Sequence, residues 1–176
     1  MNKYTILAAV VASIVCGSAS ANTVNGGKVT FNGEVTSGAC AVSGSDTDKL
    51  VTLDTVRAAS FNGAAGQLAN AVKPFTISLL DCDTDAADTV QITFSGQKVD
   101  GNQTVLANSA GAGSAQGVAL QLFGPDGAEL ALDNMSSTVN VAGTTTIPLS
   151  VDYISTDTTV TAGKVQGVAN FTLTYN

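Results

Sequence analysis

The chain contains no histidine and no tryptophan, and only 5% of its 176 residues are aromatic. Without histidine, the usual general base at neutral pH and the commonest metal ligand are both missing. Ser-His-Asp and Cys-His nucleophilic sites cannot be assembled. Paired carboxylates alone can serve a glycosidase, but a sugar-stacking cleft is hard to build from so few rings. Basic residues are also scarce, seven against fourteen acidic ones, and they form no cluster. Nucleic acid is therefore disfavoured as a partner, because phosphate contacts need Lys and Arg. The scattered acidity reads as a solvated surface. No phosphate loop and no dinucleotide fingerprint is present. What survives these exclusions is a protein that is not an enzyme and needs no cofactor.

Long apolar runs are missing too, apart from one near the start. Ile6 to Val15 is too short to span a bilayer. Lys3 precedes it, and Ala19-Ser20-Ala21 follows with the small-x-small pattern of a signal peptidase site. Residues 1–21 therefore read as a signal peptide, with Asn22 as the new N-terminus. Cys16 as a lipidation site is disfavoured by Val15 before it, where such a site takes a small residue. The mature chain would be residues 22–176, enough for one domain that hides about two-thirds of its unfolded surface. Losing Lys3 leaves six basic residues against fourteen acidic, a net charge of −8. Two cysteines survive, Cys40 and Cys82, and an even pair in an exported chain reads as a disulfide.

The mature sequence repeatedly alternates apolar and polar residues. Val29, Phe31, Gly33 and Val35 face one way, with Lys28, Thr30, Asn32 and Glu34 facing the other. The same period recurs at Phe75-Ile77-Leu79, Val90-Ile92-Phe94, Val118-Leu120-Leu122, Ile147-Leu149-Val151-Tyr153 and Ala169-Phe171-Leu173-Tyr175. Period two over short stretches predicts half-buried strands. Turn signals separate them at Asn62-Gly63, Gly124-Pro125-Asp126-Gly127 and Ala142-Gly143. The expected fold is an all-β antiparallel sandwich. Pro148 inside a strand run points to an edge, or to a position facing away from its partner. The Ala-rich stretch 57–71 has room for a short helical turn.

Asp81, Asp83, Asp85 and Asp88 place oxygen ligands close together, as a calcium loop would. The glycine at the sixth place and the glutamate at the twelfth are missing, so the plainer reading is an acidic turn after a strand. The sequons at Asn102, Asn134 and Asn170 are weak signals in a chain with a bacterial-looking signal peptide.

The two ends are the most informative parts. A segment as close to a terminus as 29–35 frays unless it is tied into a sheet, yet periodicity alone does not say whether the sheet is its own. The stretch from Val24 to Val35, followed by Ala39-Cys40-Ala41-Val42, resembles the start of major pilins of type 1 fimbriae, of the chaperone–usher class. Asp81-Cys82-Asp83 is similar to that family's second cysteine region, and Thr146-Ile147-Pro148-Leu149 also fits. Gly163, fourteenth from the end, and the penultimate Tyr175 match its C-terminal signature.

The resemblance implies an incomplete immunoglobulin-like antiparallel β-sandwich, completed by a donor strand from a neighbouring subunit. It implies three parts: a signal peptide at 1–21, a donor-strand extension at 22–37 and a pilin domain at 38–176. Val29, Phe31, Gly33 and Val35 would point into the neighbour's groove, with Gly33 over a shallow pocket. Gly163, Phe171, Leu173, Tyr175 and Asn176 would form the C-terminal groove motif. The implied partners are identical or related pilin subunits, a periplasmic chaperone whose basic residues hold the carboxylate of Asn176, and an outer-membrane usher. The implied destination, beyond the periplasm, is a cell-surface fimbrium that supports adhesion. A minor adaptor subunit would share both ends of the pattern. The rival from another class is a self-complete secreted module binding carbohydrate or calcium, which predicts that the N-terminal strand pairs within its own chain.

Overall fold

The computed structural model describes residues 28–30, 33, 35, 38–61 and 63–176. Phe31 and the expected signal peptide lie outside the described residues. The chain divides into two units, Met1–Val35 and Thr36–Asn176. In the first, the described residues form no strand, and Val29 and Val35 expose 74% and 100% of their surface.

The second unit carries all the strands among the described residues. In chain order they are β1 (Ala41–Val42), β2 (Lys73–Leu80), β3 (Thr89–Gly96), β4 (Lys98–Val99), β5 (Asn102–Ala107), β6 (Val118–Phe123), β7 (Glu129–Leu130), β8 (Val139–Asn140), β9 (Thr145–Ser155) and β10 (Ala169–Tyr175). A 3-10 turn at Ala58–Phe61 falls in the Ala-rich stretch and buries Phe61. The larger sheet has the order β1-β2-β9-β6-β5-β4, with β7 attached to β6, and the smaller has the order β10-β3-β8. Every strand pairing is antiparallel. The fold is thus an immunoglobulin-like sandwich whose second sheet is narrow.

Alternation decides which side chains meet. Ile77 and Leu79 of β2, Ile147, Leu149 and Val151 of β9, and Leu120 and Leu122 of β6 face Val90, Ile92 and Phe94 of β3 in one core. Each such side chain contributes about 1.5–3 kcal/mol when fully buried. Pro148 sits in β9 opposite Thr76. The pairing of β9 with β6 stops at Ser150, so Pro148 has a strand on one side only and breaks no ladder there.

Cys40 and Cys82 are joined in a disulfide, clamping the residue before β1 to the exit of β2. Beside it, Asp46 anchors the next turn. Its carboxylate is only 3% exposed, takes the Lys49 ammonium at 2.6 Å and accepts the Ser78 N–H at 2.7 Å. The Lys49 contact lowers its pKa below the ordinary carboxylate value; burial opposes this, and the Ser78 N–H adds to the lowering. A depressed folded-state pKa stabilises the fold above the unfolded value, and that contribution is lost as pH falls through the folded pKa. Asp46→Ala leaves the buried Ser78 N–H unpaired, at a cost on the order of 1–3 kcal/mol. Urea unfolding at pH 7 should show that loss. The gap should begin to close as pH falls past the ordinary carboxylate value of about 4 and vanish only below the depressed folded-state pKa, where the folded carboxylate is protonated. A constant gap down to acid pH would contradict the assignment.

Candidate functional site

β10 pairs with β3 along its whole length, from Ala169 opposite Gly96 to Tyr175 opposite Val90. Its other edge has no strand among the described residues, and alternate N–H and C=O groups there have no main-chain partner among them, a ready template for another strand. The side chains tell the same story. Phe171, Leu173 and Tyr175 point toward the core but are only half-buried, whereas their direct neighbours on β3, Phe94, Ile92 and Val90, are closed off. Apolar cover stops one strand short.

Residues 50–56 form a second open edge. Val51, Leu53 and Val56 are half-buried against the core, and Thr52 and Asp54 are exposed. None of its main chain bonds to another main chain among the described residues. It is anchored at Asp54, whose carbonyl accepts the Tyr153 hydroxyl at 3.0 Å and whose carboxylate takes the Lys73 ammonium at 3.3 Å. A cleft lined by Val51, Asp54, Lys73 and Phe75 opens between this stretch and β2. Phe75 packs edge-on against Phe94 at 6.4 Å, and Phe94 packs against Phe171 at 6.2 Å. The rings form a continuous apolar row from the cleft to β10.

At the end of β10 the Tyr175 hydroxyl is buried without a hydrogen-bond partner among the described residues. Burial raises its pKa, and the nearby Cys40 main chain offsets part of that rise. Asn176 is tied down by main-chain bonds: its carbonyl accepts the Asp88 and Thr89 N–H groups, and its N–H donates to Thr89.

Two expected site glycines have different surroundings. Gly163 lies on the segment leading into β10, where a Cβ would overlap the main chain of Ser114 and Ala115. The close approach allows Ala115 N–H to reach the Lys164 carbonyl at 2.9 Å and Lys164 N–H to reach Gly113 at 2.9 Å. Around Gly33, by contrast, a Cβ would meet nothing within 4 Å. Among the described residues, nothing close to Gly33 requires glycine there.

Two contributors escaped the sequence reading. One is the 50–56 edge, whose signal was the brief alternation of Val51 and Leu53. The other is Asn108, whose amide donates to the Ala115 and Lys164 carbonyls and whose oxygen accepts the Ala110 and Gln166 N–H groups. It staples the lead-in of β10 to the 108–115 loop. The acidic stretch after β2 is a turn in which Asp83 Oδ1 accepts the Asp85 N–H at 3.0 Å. Among the described residues, no three His, Cys, Asp or Glu side chains converge as a metal site needs.

Comparison with known proteins places these features in context. A family model described as "Fimbrial protein" matches residues 29–176. The chain is 40% identical to the type-1 fimbrial protein, A chain, of Escherichia coli K12, over 97% of this chain and 94% of that one. It is 39% identical to a fimbrial subunit type 1 of Klebsiella pneumoniae, with the same coverage of each. A structure of a chaperone–usher pilus, solved to explain rod uncoiling, superposes with TM-score 0.72 at 26% identity, covering 89% of this chain and 100% of that one. The P pilus rod subunit PapA, at 22% identity and TM-score 0.67, covers 79% of this chain and 100% of its own; it shares the fold.

Proposed function

We propose that this chain, which belongs to the fimbrial protein family and is a structural subunit of a cell-surface chaperone–usher fimbria, polymerises by laying residues 29–35 along β10 of a neighbouring copy. The observation that carries this reading is the half-burial of Phe171, Leu173 and Tyr175 beside the closed Phe94, Ile92 and Val90. A strand added at the open edge of β10 would supply both the missing hydrogen bonds and the missing apolar cover. The extension has the matching pattern, and its described apolar side chains, Val29 and Val35, are exposed in the single chain. Burying Val29, Phe31 and Val35 would contribute roughly 5–9 kcal/mol before ordering costs.

In this reading residues 1–21 direct export, 22–37 form the donor extension and 38–176 the accepting domain. A periplasmic chaperone covers the groove before assembly, and exchange occurs at an outer-membrane usher. The chain is a shaft subunit with no catalytic role. Adhesion belongs to the assembled fibre.

Gly33 provides the test. Its own chain leaves space around it, so a larger side chain costs the free subunit nothing. In the neighbour's groove, overpacking costs about 1–3 kcal/mol. Gly33→Leu should therefore leave the subunit folded but slow strand exchange at least about fivefold, as followed by fibre formation from purified subunits. Normal fibre growth in that variant would argue against the register.

A further inference from the structure

We infer that Lys28 of one subunit pairs with Asp88 of the next, at the acidic end of the groove, and that this pairing selects the direction in which the extension enters. The inference rests on the strand-lending reading above. Two directions are possible, because the inward positions of the extension, Val29, Phe31, Gly33 and Val35, and those of β10 have the same spacing. Antiparallel entry sets Val29 against Tyr175, Phe31 against Leu173, Gly33 against Phe171 and Val35 against Ala169. The residue without a side chain then faces the phenylalanine whose ring already packs on Phe94 at 6.2 Å. Parallel entry sets Phe31 against Phe171 at one level and leaves Gly33 opposite Leu173, crowding one pocket and emptying the next.

Charge favours the same direction. Lys28 is the one basic residue of the extension 22–37. In the antiparallel register it stands beside Asn176, whose carbonyl is bonded to the Asp88 N–H at 2.9 Å. Asp88 closes the loop that also carries Asp81, Asp83 and Asp85; all four are exposed. The three ion pairs among the described residues, Lys49–Asp46, Lys73–Asp54 and Lys98–Asp133, involve none of them. At the opposite end, Lys98 follows Gly96, the partner of Ala169, and is paired with Asp133 at 2.7 Å. Parallel entry would bring Lys28 toward this already compensated lysine. The acidic loop alone selects no ligand; the register brings a cation to it.

Zero-length carbodiimide coupling of assembled wild-type fibres, read by mass spectrometry, tests the contact. The expected product joins Lys28 of one subunit to Asp88, or to a carboxylate of its loop, in another. Coupling of Lys28 to Asp100 or Asp133 instead would overturn the inference. So would the absence of any Lys28 product in fibres whose β10 amides resist hydrogen exchange, and the strand-lending reading would then still stand. Unprotected β10 amides in fibres would sink that reading itself. A second measurement uses Lys28→Gln, a change at an exposed position. Assembly should be roughly two- to fivefold slower at low salt, the size expected of an exposed pair, with the difference gone near 1 M salt, where screening is nearly complete. Equal rates at low salt would contradict the pairing.

Discussion

A subunit lacking residues 22–35, co-expressed with its chaperone, is expected to accumulate as a soluble chaperone-bound protein and to form no fibres. Folding and assembly draw on different parts of the chain. The core begins at Cys40, and the strands begin at Ala41. The described apolar side chains of the deleted stretch, Val29 and Val35, are exposed in the single chain. Their removal should shift the stability of the accepting domain by no more than about 0.5 kcal/mol, as for surface changes generally. Yet the deletion removes every side chain that would fill a neighbour's groove. The groove of the truncated subunit stays intact and can still accept a full-length extension. Mixed with wild type, the truncated subunit should cap growing fibres and shorten them. Continued polymerisation of the truncated subunit alone would refute strand lending.

Replacing both Cys40 and Cys82 with serine should be the most damaging change to the subunit itself. The bridge spans a sequence separation of 42. By loop-closure entropy, a bridge of that span stabilises the fold by roughly 4 kcal/mol. That is a large part of the ~5–15 kcal/mol that holds a domain folded. The melting midpoint should fall by about 8–16 °C. The position of the bridge adds a second effect. Cys40 joins the extension to the domain, and its main chain lies near the buried Tyr175 hydroxyl at the end of β10. Loss of the clamp loosens the end of the groove where the extension of the same subunit departs. Fibre yield should therefore fall further than the melting midpoint alone would predict. An unchanged midpoint would contradict the structural role of the bridge.

Long strands were legible because their alternation is strict. Phe75-Ile77-Leu79, Val90-Ile92-Phe94, Val118-Leu120-Leu122, Ile147–Tyr153 and Ala169–Tyr175 all fall within observed strands. β5 was missed because it opens on Asn102-Gln103-Thr104, with the buried Val105 and Leu106 adjacent rather than alternating. β1, β4, β7 and β8 have two residues each, too few to show a period. Pro148 points to an edge or to a position facing away from its partner; it occupies a central strand at a place where the neighbouring β6 has already ended.

The candidate site was legible in part. The alternation of β10 was plain, but period two reports which residues share a face and not what covers that face. That Phe171, Leu173 and Tyr175 are half-buried depends on which strand lies beyond β10, a fact of topology. The 50–56 edge has too few apolar positions to stand out. The four hydrogen bonds of Asn108 join residues up to 58 positions apart and have no local signature. Gly163 was assigned from a resemblance at the C-terminus; its physical reason, the close approach to Ser114 and Ala115, appears only in three dimensions.

The central claim is that the partner of the N-terminal strand is another subunit. A cryo-electron microscopy map of the native fibre tests it most directly. The account predicts that density for residues 29–35 of each subunit runs along the open edge of β10 in its neighbour, antiparallel to it, with Gly33 over Phe171. A bare β10 edge, or one filled by the subunit's own N-terminal segment, would contradict it.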